Sequence, residues 1–231
     1  MPQDALTDVN RFDPVPDPRP IDEPWPELKW PVPADAELVG DTVRLNPLDL
    51  AADAAELFAA LDHDVVWAHL PMRLREQQQL EEFLRSWQAT PDRHMWVVRT
   101  LRAIAGFPAG AIIGMTSFLE TRSGDARLEI GATLYTPAVW GSAVNPEAKL
   151  LLLGYAFDTL GAGRVELKTD VRNHRSQQAI ARLGAQYEGT LRRHMRRADG
   201  TIRDSVLFSI TAEDWPSVRE GLVTRLRGFA E

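Results

Sequence analysis

From residue 38 onward the apolar positions fall into short alternating runs and longer helical stripes, and the two kinds follow one another in a definite order. Residues 42–45 alternate and close on Asn46-Pro47, which reads as a short strand. Residues 49–61 are Ala-rich with Leu and Phe at helical spacing, and 74–88 set Glu, Gln and Arg between apolar positions, which predicts two helices. Residues 95–100, 111–120 and 127–135 read as three strands joined by short turns, with Gly114 marking a bulge and Ser123-Gly124-Asp125 a turn. A loop at 137–145 leads into a helix over 147–160 that stops at Gly161-Ala162-Gly163. A strand over 164–171, a helix over 175–183 ended by Gly184, and a hairpin of 189–197 and 201–210 complete the series.

The order strand, loop, helix, strand, helix across 127–184 is an α/β signature. A loop that enters a helix after a strand offers free N–H groups to phosphate. Upstream, residues 1–37 hold nine of the sixteen prolines, so regular helix or interior strand is not expected there. Trp25 and Trp30 interrupt the polar character, and residues 24–37 are expected to pack as an extended arm, with 1–20 mobile. The chain divides into a proline-rich acidic arm (1–37), one domain (38–215) and a helical tail (216–231).

Composition narrows the chemistry. Hydrophobic residues make up 44% and charged residues 26%, a balance that supports a packed core without metal or disulfide help. The absence of Cys excludes disulfides, thiolate-bound zinc and thiol nucleophiles. His63, His69, His94, His174 and His194 show no ligand spacing, so no metal is expected. The acidic N-terminus has no secretory pattern and no apolar run is long enough to span a bilayer, so the expected location is cytoplasmic, with no membrane partner. A net charge of −7 argues against direct nucleic-acid binding. The charge is uneven: 1–37 carry nine acids and three bases, 164–203 ten bases and four acids. That contrast fits either a local anionic ligand such as phosphate or a solvated basic face. No strand is followed by G-x-G-x-x-G, and there is no G-x-x-x-x-G-K-[ST], so hydride transfer and nucleotide hydrolysis lose their usual motifs.

Several segments are similar to the RimJ/RimL type of GNAT acetyltransferases. They are Glu129-Ile130-Gly131, the loop Trp140-Gly141-Ser142-Ala143-Val144-Asn145, and the helix Glu147-Ala148-Lys149-Leu150. Asn173-His174-Arg175-Ser176, Ala181-Arg182-Leu183-Gly184-Ala185 and Arg203-Asp204-Ser205 follow at matching intervals. The resemblance implies a GNAT fold, in which a strongly bent, mixed seven-stranded sheet is flanked by helices and two parallel strands splay apart. It also implies acetyl-CoA, or another acyl-CoA, lying in that split as co-substrate, its pyrophosphate on the loop 140–145. The partners implied are acyl-CoA and an amine acceptor, such as a protein N-terminus, acting on a monomer or homodimer. The family's usual loop is Q/R-x-x-G-x-G/A, and Val139-Trp140-Gly141-Ser142-Ala143-Val144 departs from it.

Acyl transfer to an amine needs a deprotonated amine, donors for the developing oxyanion, and a stabilised thiolate. Glu129, mid-strand beside the expected split, is the candidate base; a structural carboxylate is the other reading. Many GNATs use a Tyr four residues before the Gly that matches Gly184; here that position is Ile180, and the resemblance instead puts Ser176 toward the thiolate. A helix-capping role for Ser176 is the alternative. Asn173 resembles the residue that bonds the pantetheine arm, or else caps the helix. Trp140, Gly141, Ser142, Ala143 and Asn145 are the expected phosphate loop, and Trp67 and His69 the acceptor wall. Alternation along the hairpin would put Arg193, Met195 and Arg197 on one face and Arg192, His194 and Arg196 on the other. The competing function is a non-catalytic acyl-CoA-binding or protein-interaction module on the same fold.

Overall fold

A computed structural model describes residues 12–17 and 24–229. Eight strands form a single mixed sheet: β1 (Leu38–Val39), β2 (Val43–Pro47), β3 (His94–Thr100), β4 (Ile112–Arg122), β5 (Arg127–Tyr135), β6 (Arg164–Asp170), β7 (Gln186–Arg196) and β8 (Ile202–Thr211). Their spatial order is β1-β2-β3-β4-β5-β6-β8-β7. Every neighbouring pair is antiparallel except β5 and β6. The eighth strand, beyond the seven expected, is β1: two residues are too short to show a period, but they pair with Leu45 and Arg44.

The helices are α1 (Leu50–Leu61), α2 (Asp64–Trp67), α3 (Gln77–Gln88), α4 (Val144–Gly154), α5 (His174–Ala181) and α6 (Trp215–Arg227). Asp49 caps α1, its carboxylate accepting the N–H groups of Ala51 and Ala52. α3 begins three residues later than its sequence stripe predicts, because Leu74 is buried in extended chain and the Gln79 side chain accepts the Arg75 N–H. α4 begins at Val144, which draws Asn145 into its first turn. Its last stretch, Tyr155–Leu160, widens to π-type turns and stops at Gly161, whose φ of 77° is left-handed.

Two apolar clusters hold the layers together. One joins α4 and α6 to the sheet through Leu152, Val218, Leu222, Val165 and Ile210. The other seats α1 and α3 on the opposite face through Leu57, Leu61, Leu84, Val97 and Met115. The C-terminal helix thus supplies core residues, Trp215 among them. The arm at 24–37 is extended: Leu28 and Val32 are buried, and the Trp25 and Trp30 indoles donate to the carbonyls of Gly161 and Pro91. The mobility expected of residues 1–20 falls largely outside the described residues.

Gly114 does mark an irregularity, where β3 and β4 slip register between Val98 and Arg99. A Cβ there would stand 2.1 Å from the Leu134 carbonyl oxygen, so close backbone approach demands glycine. The face alternation expected for 192–197 does not hold, because β7 slips register against β8 between Leu191 and Met195 and Arg193 takes a φ of 53°. Arg197 is buried rather than displayed.

One side chain ties the two ends of this architecture. Glu147, buried in the first turns of α4, accepts the N–H groups of Asp41, Thr42 and Val43 at 2.9, 2.8 and 2.7 Å. These amides turn the chain from β1 into β2. A Cβ on Gly40 would sit 2.6 Å from the Glu147 carboxyl carbon. Removing the carboxylate leaves three amides unsatisfied. Glu147→Ala is therefore expected to lower stability by roughly 3 kcal/mol, a melting shift on the order of 10 °C by calorimetry.

Candidate active site

β5 and β6 run parallel for only three residue pairs, Arg127 with Arg164, Leu128 with Val165 and Glu129 with Glu166. Beyond them the strands separate. β5 bulges there: its register against β4 slips between Met115 and Ser117, and Ala132 takes a φ of 46°. A cavity of about 400 Å³ opens in the gap, walled by residues 130–135 of β5 and 167–170 of β6. It also reaches the loop before α4, residues of α5 and α6, and Val66, His69 and Leu70.

At the α4 side the backbone is left open to a ligand. The amides of Gly141, Ala143 and Asn145 donate to no protein acceptor among the described residues. Gly141 has a φ of 77° with open space where a Cβ would be. Ser142 is occupied locally, its hydroxyl donating to the Val139 carbonyl and accepting the Val144 N–H. Trp140 donates its indole N–H to the Tyr135 carbonyl, and the Arg175 guanidinium lies 3.2 Å from the centre of its ring, so the two reach across the mouth from opposite walls. Arg182 and Arg225 also border this end. Together these groups make a cationic site with free amides at a helix N-terminus, the arrangement that binds phosphate. Coenzyme A carries that chemistry, and these residues fit its pyrophosphate.

The residues read from the sequence meet here unevenly. Trp140, Gly141, Ser142, Asn145, Asn173, Ser176 and His69 all border the cavity. Ala143 is buried behind the loop. Trp67 is a core side chain, its indole bonded to the Leu61 carbonyl; it borders a second hollow that shares His69 with the first. Asn173 caps α5 by accepting the Ser176 N–H at 3.0 Å, so the cap belongs to Asn173 and the Ser176 hydroxyl stays free of any protein partner among the described residues.

Glu129 lies off the cavity wall. It is buried and held by the Lys168 ammonium at 2.9 Å; Lys168 also binds Glu120 at 2.7 Å. Burial raises the Glu129 carboxyl despite the opposing attraction of Lys168. Lys168 itself does border the cavity.

Three cavity groups escaped the sequence reading. Lys149 is 5% exposed, and its ammonium nitrogen meets only the Thr133 hydroxyl, at 2.7 Å. Burial pushes it down to about 7, against a pull from Glu129. The helical spacing that puts it four residues after Asn145 was the available signal. Arg203, 8% exposed, and Tyr135, whose buried hydroxyl finds no partner, are the others.

A family model described as an acetyltransferase (GNAT) domain matches residues 42–186. The chain is 31% identical over 104 residues to the uncharacterized N-acetyltransferase p20 of Bacillus licheniformis, across 45% of this chain and 57% of that one. It spans little more than half the length of the curated relatives it matches. A solved GCN5-related N-acetyltransferase from Brucella melitensis superposes with a TM-score of 0.78 at 27% identity, covering 87% of this chain and 89% of that one. Mycobacterium smegmatis RimJ, solved with CoA-disulfide, shares the fold at a TM-score of 0.68 and 21% identity, over 82% and 93% of the two chains. With its split parallel pair and open helix N-terminus, the chain belongs to the GNAT acetyltransferase domain family.

Proposed function

We propose that this protein is an acyl-CoA-dependent N-acyltransferase that acetylates a primary amine by direct transfer in a ternary complex. The observation that carries this reading is the continuity of the cavity. One cavity is lined by the open α4 N-terminus, the split between β5 and β6, and His69. Two ligands sharing it would meet in the split. No helix among the described residues is long and apolar enough to cross a membrane, and a cytoplasmic enzyme fits that.

Bound acyl-CoA supplies an activated thioester. The chain's own groups do the rest. The amides of Gly141, Ala143 and Asn145, with Arg175, Arg182 and Arg225, hold the phosphates. The peptide groups of 130–135 and 167–170 that face the split, where β5 and β6 no longer pair with each other, take the pantetheine arm. The Ser176 hydroxyl donates to the departing sulfur. For the amine proton, Glu129 is screened by Lys168, whereas Lys149 borders the cavity and loses its own proton near neutral pH. Lys149 is therefore the better-placed acceptor, with Glu129 setting its affinity for the proton.

Thiol release from acetyl-CoA over a panel of amines and peptides tests the activity itself. Binding of coenzyme A with no thiol release from any amine would favour the non-catalytic module instead.

The roles of Lys149 and Glu129 separate by pH. With Lys149 as acceptor, turnover rises through a midpoint near pH 7 and Lys149→Met abolishes that limb. Glu129→Gln removes a negative charge that favours the Lys149 proton, so the midpoint moves to lower pH but the limb persists. If the limb vanishes in Glu129→Gln, Glu129 is the base.

Stability gives a second readout of Lys149. The folded group holds its proton only up to about 7, whereas the unfolded one holds it to about 10.5. Between those values the unfolded chain binds more protons, so native stability climbs with pH. Lys149→Met is expected to melt higher than wild type at pH 6, with the gap closing toward pH 10 in thermal scans.

Ser176→Ala is expected to slow single turnover about tenfold or more with an unchanged melting temperature, since a bond that strengthens only as charge develops appears in kcat. Asn173→Ala should cost about 1 kcal/mol of stability through the lost cap.

A further inference from the structure

The cavity is bordered by a buried cation that no carboxylate contacts directly among the described residues, although Asp170 and Glu129 attract it from a distance. Arg203, on β8, is more than nine-tenths buried. The one hydrogen bond of its side chain among the described residues runs from Nε to the Ser205 hydroxyl at 2.9 Å. No carboxylate among the described residues pairs with it. The acids around it are already committed. Asp170 accepts a two-pronged Arg197 fork at 2.6 and 2.8 Å and the Arg172 N–H at 2.9 Å. Burial would raise the Asp170 carboxyl, but that fork outweighs it and holds it below the usual range. Glu129 is taken by Lys168. The nearby His194 ring spends Nδ1 on the same Ser205 hydroxyl.

A buried guanidinium left unpaired is costly in a folded chain. Here the unpaired end faces a cavity large enough for a ligand. The phosphates of coenzyme A have their own cations, on the α4, α5 and α6 side. Arg203 is grouped instead with Asp170, Glu129 and Arg197, and its charge is felt at His69, the expected acceptor wall. An anion reaching it would arrive with the acceptor.

Resting on the acyl-transfer reading above, we propose that Arg203 is a subsite for a carboxylate carried by the amine acceptor, so that the preferred acceptors are amino acids or other amino-carboxylates rather than plain alkylamines. Ser205 holds the guanidinium by Nε and leaves its two terminal nitrogens for a bidentate carboxylate. The Asp170–Arg197 pair keeps a competing internal acid away. A peptide N-terminus with a neighbouring acidic side chain offers the same chemistry.

The test compares matched acceptors that differ by one carboxylate. Glycine, β-alanine and 4-aminobutyrate are set against methylamine, ethylamine and propylamine, and a short peptide with Glu at its second position against one with Gln. Thiol release from acetyl-CoA gives kcat/KM for each. The acids are expected to be favoured, mainly through KM, and the acid-to-amine ratio to fall on the order of 100-fold in Arg203→Met and to recover in part in Arg203→Lys. A preference confined to the peptide pair would locate the carboxylate on a peptide. In parallel, melting shifts are measured with saturating coenzyme A, which needs no turnover: the acids should stabilise wild type more than the amines do, and Arg203→Met should lose the difference. Equal response to acid and amine in both assays overturns the proposal. If a variant fails to fold, the wild-type comparison decides alone. If no amine releases thiol, the acyl-transfer reading fails, and the melting shifts still decide for or against the carboxylate subsite.

Discussion

Everything that can bind in this protein depends on two strands that stop bonding to each other. A sheet is stable because each peptide group finds a partner on its neighbour, and an unpaired buried N–H or C=O is expensive. β5 and β6 keep that rule for three pairs and then break it. The bulge at Ala132, left-handed in a residue that pays for that conformation in sterics, sustains the break by turning β5 away. The strand groups exposed by the split are solvated or bound by ligand, never by each other. The sheet thus remains closed on its antiparallel sides and open along one seam, and the seam is where an extended ligand can complete the hydrogen bonding.

Charge is distributed around that seam with little waste. Lys168 faces three carboxylates, those of Glu120, Glu129 and Glu166, and Asp170 is paired with Arg197, so these walls carry their own counterions. Lys149 and Arg203 stand apart as buried cations with no carboxylate in direct contact among the described residues. Folding tolerates Lys149 by letting its proton go. A guanidinium has no such escape, because it stays charged at any pH the fold survives. The two cations therefore pose different problems, and the protein answers the first by titration and the second by leaving room for an anion.

The sequence was a good guide wherever a period had length to express itself. Strands of seven to eleven residues and the stripe of α4 were legible, and the resemblance in their spacing led to the right family. β1 and α2 were not, since two and four residues cover about one period and never repeat it. The start of α3 moved because Leu74 is buried in extended chain, a tertiary preference that local spacing does not record. The hairpin faces failed for a related reason: between Leu191 and Met195 β7 carries two extra residues, one of them Arg193 at positive φ, and the alternation is interrupted there. At the candidate site, the resemblance singled out Ser176, Trp140, Gly141, Ser142 and Asn145, all of which border the cavity. It was not enough for Glu129, whose accessibility depends on Lys168, a partner thirty-nine positions away in sequence. Lys149 was hidden because a lysine in a helix is ordinarily a solvated one.

The bond between Glu147 and the β1–β2 turn also bears on how this chain can diverge. The carboxylate fits only because position 40 has no side chain, and the three amides are satisfied only because position 147 has one of that length. Neither residue can drift alone. A larger residue at 40 must be accompanied by a shorter one at 147, which then strands the amides, so both intermediates on the way to any alternative are less fit than either end. Among descendants of such a protein the pair should be inherited together or lost together, a linkage between two sites more than a hundred residues apart that owes nothing to catalysis.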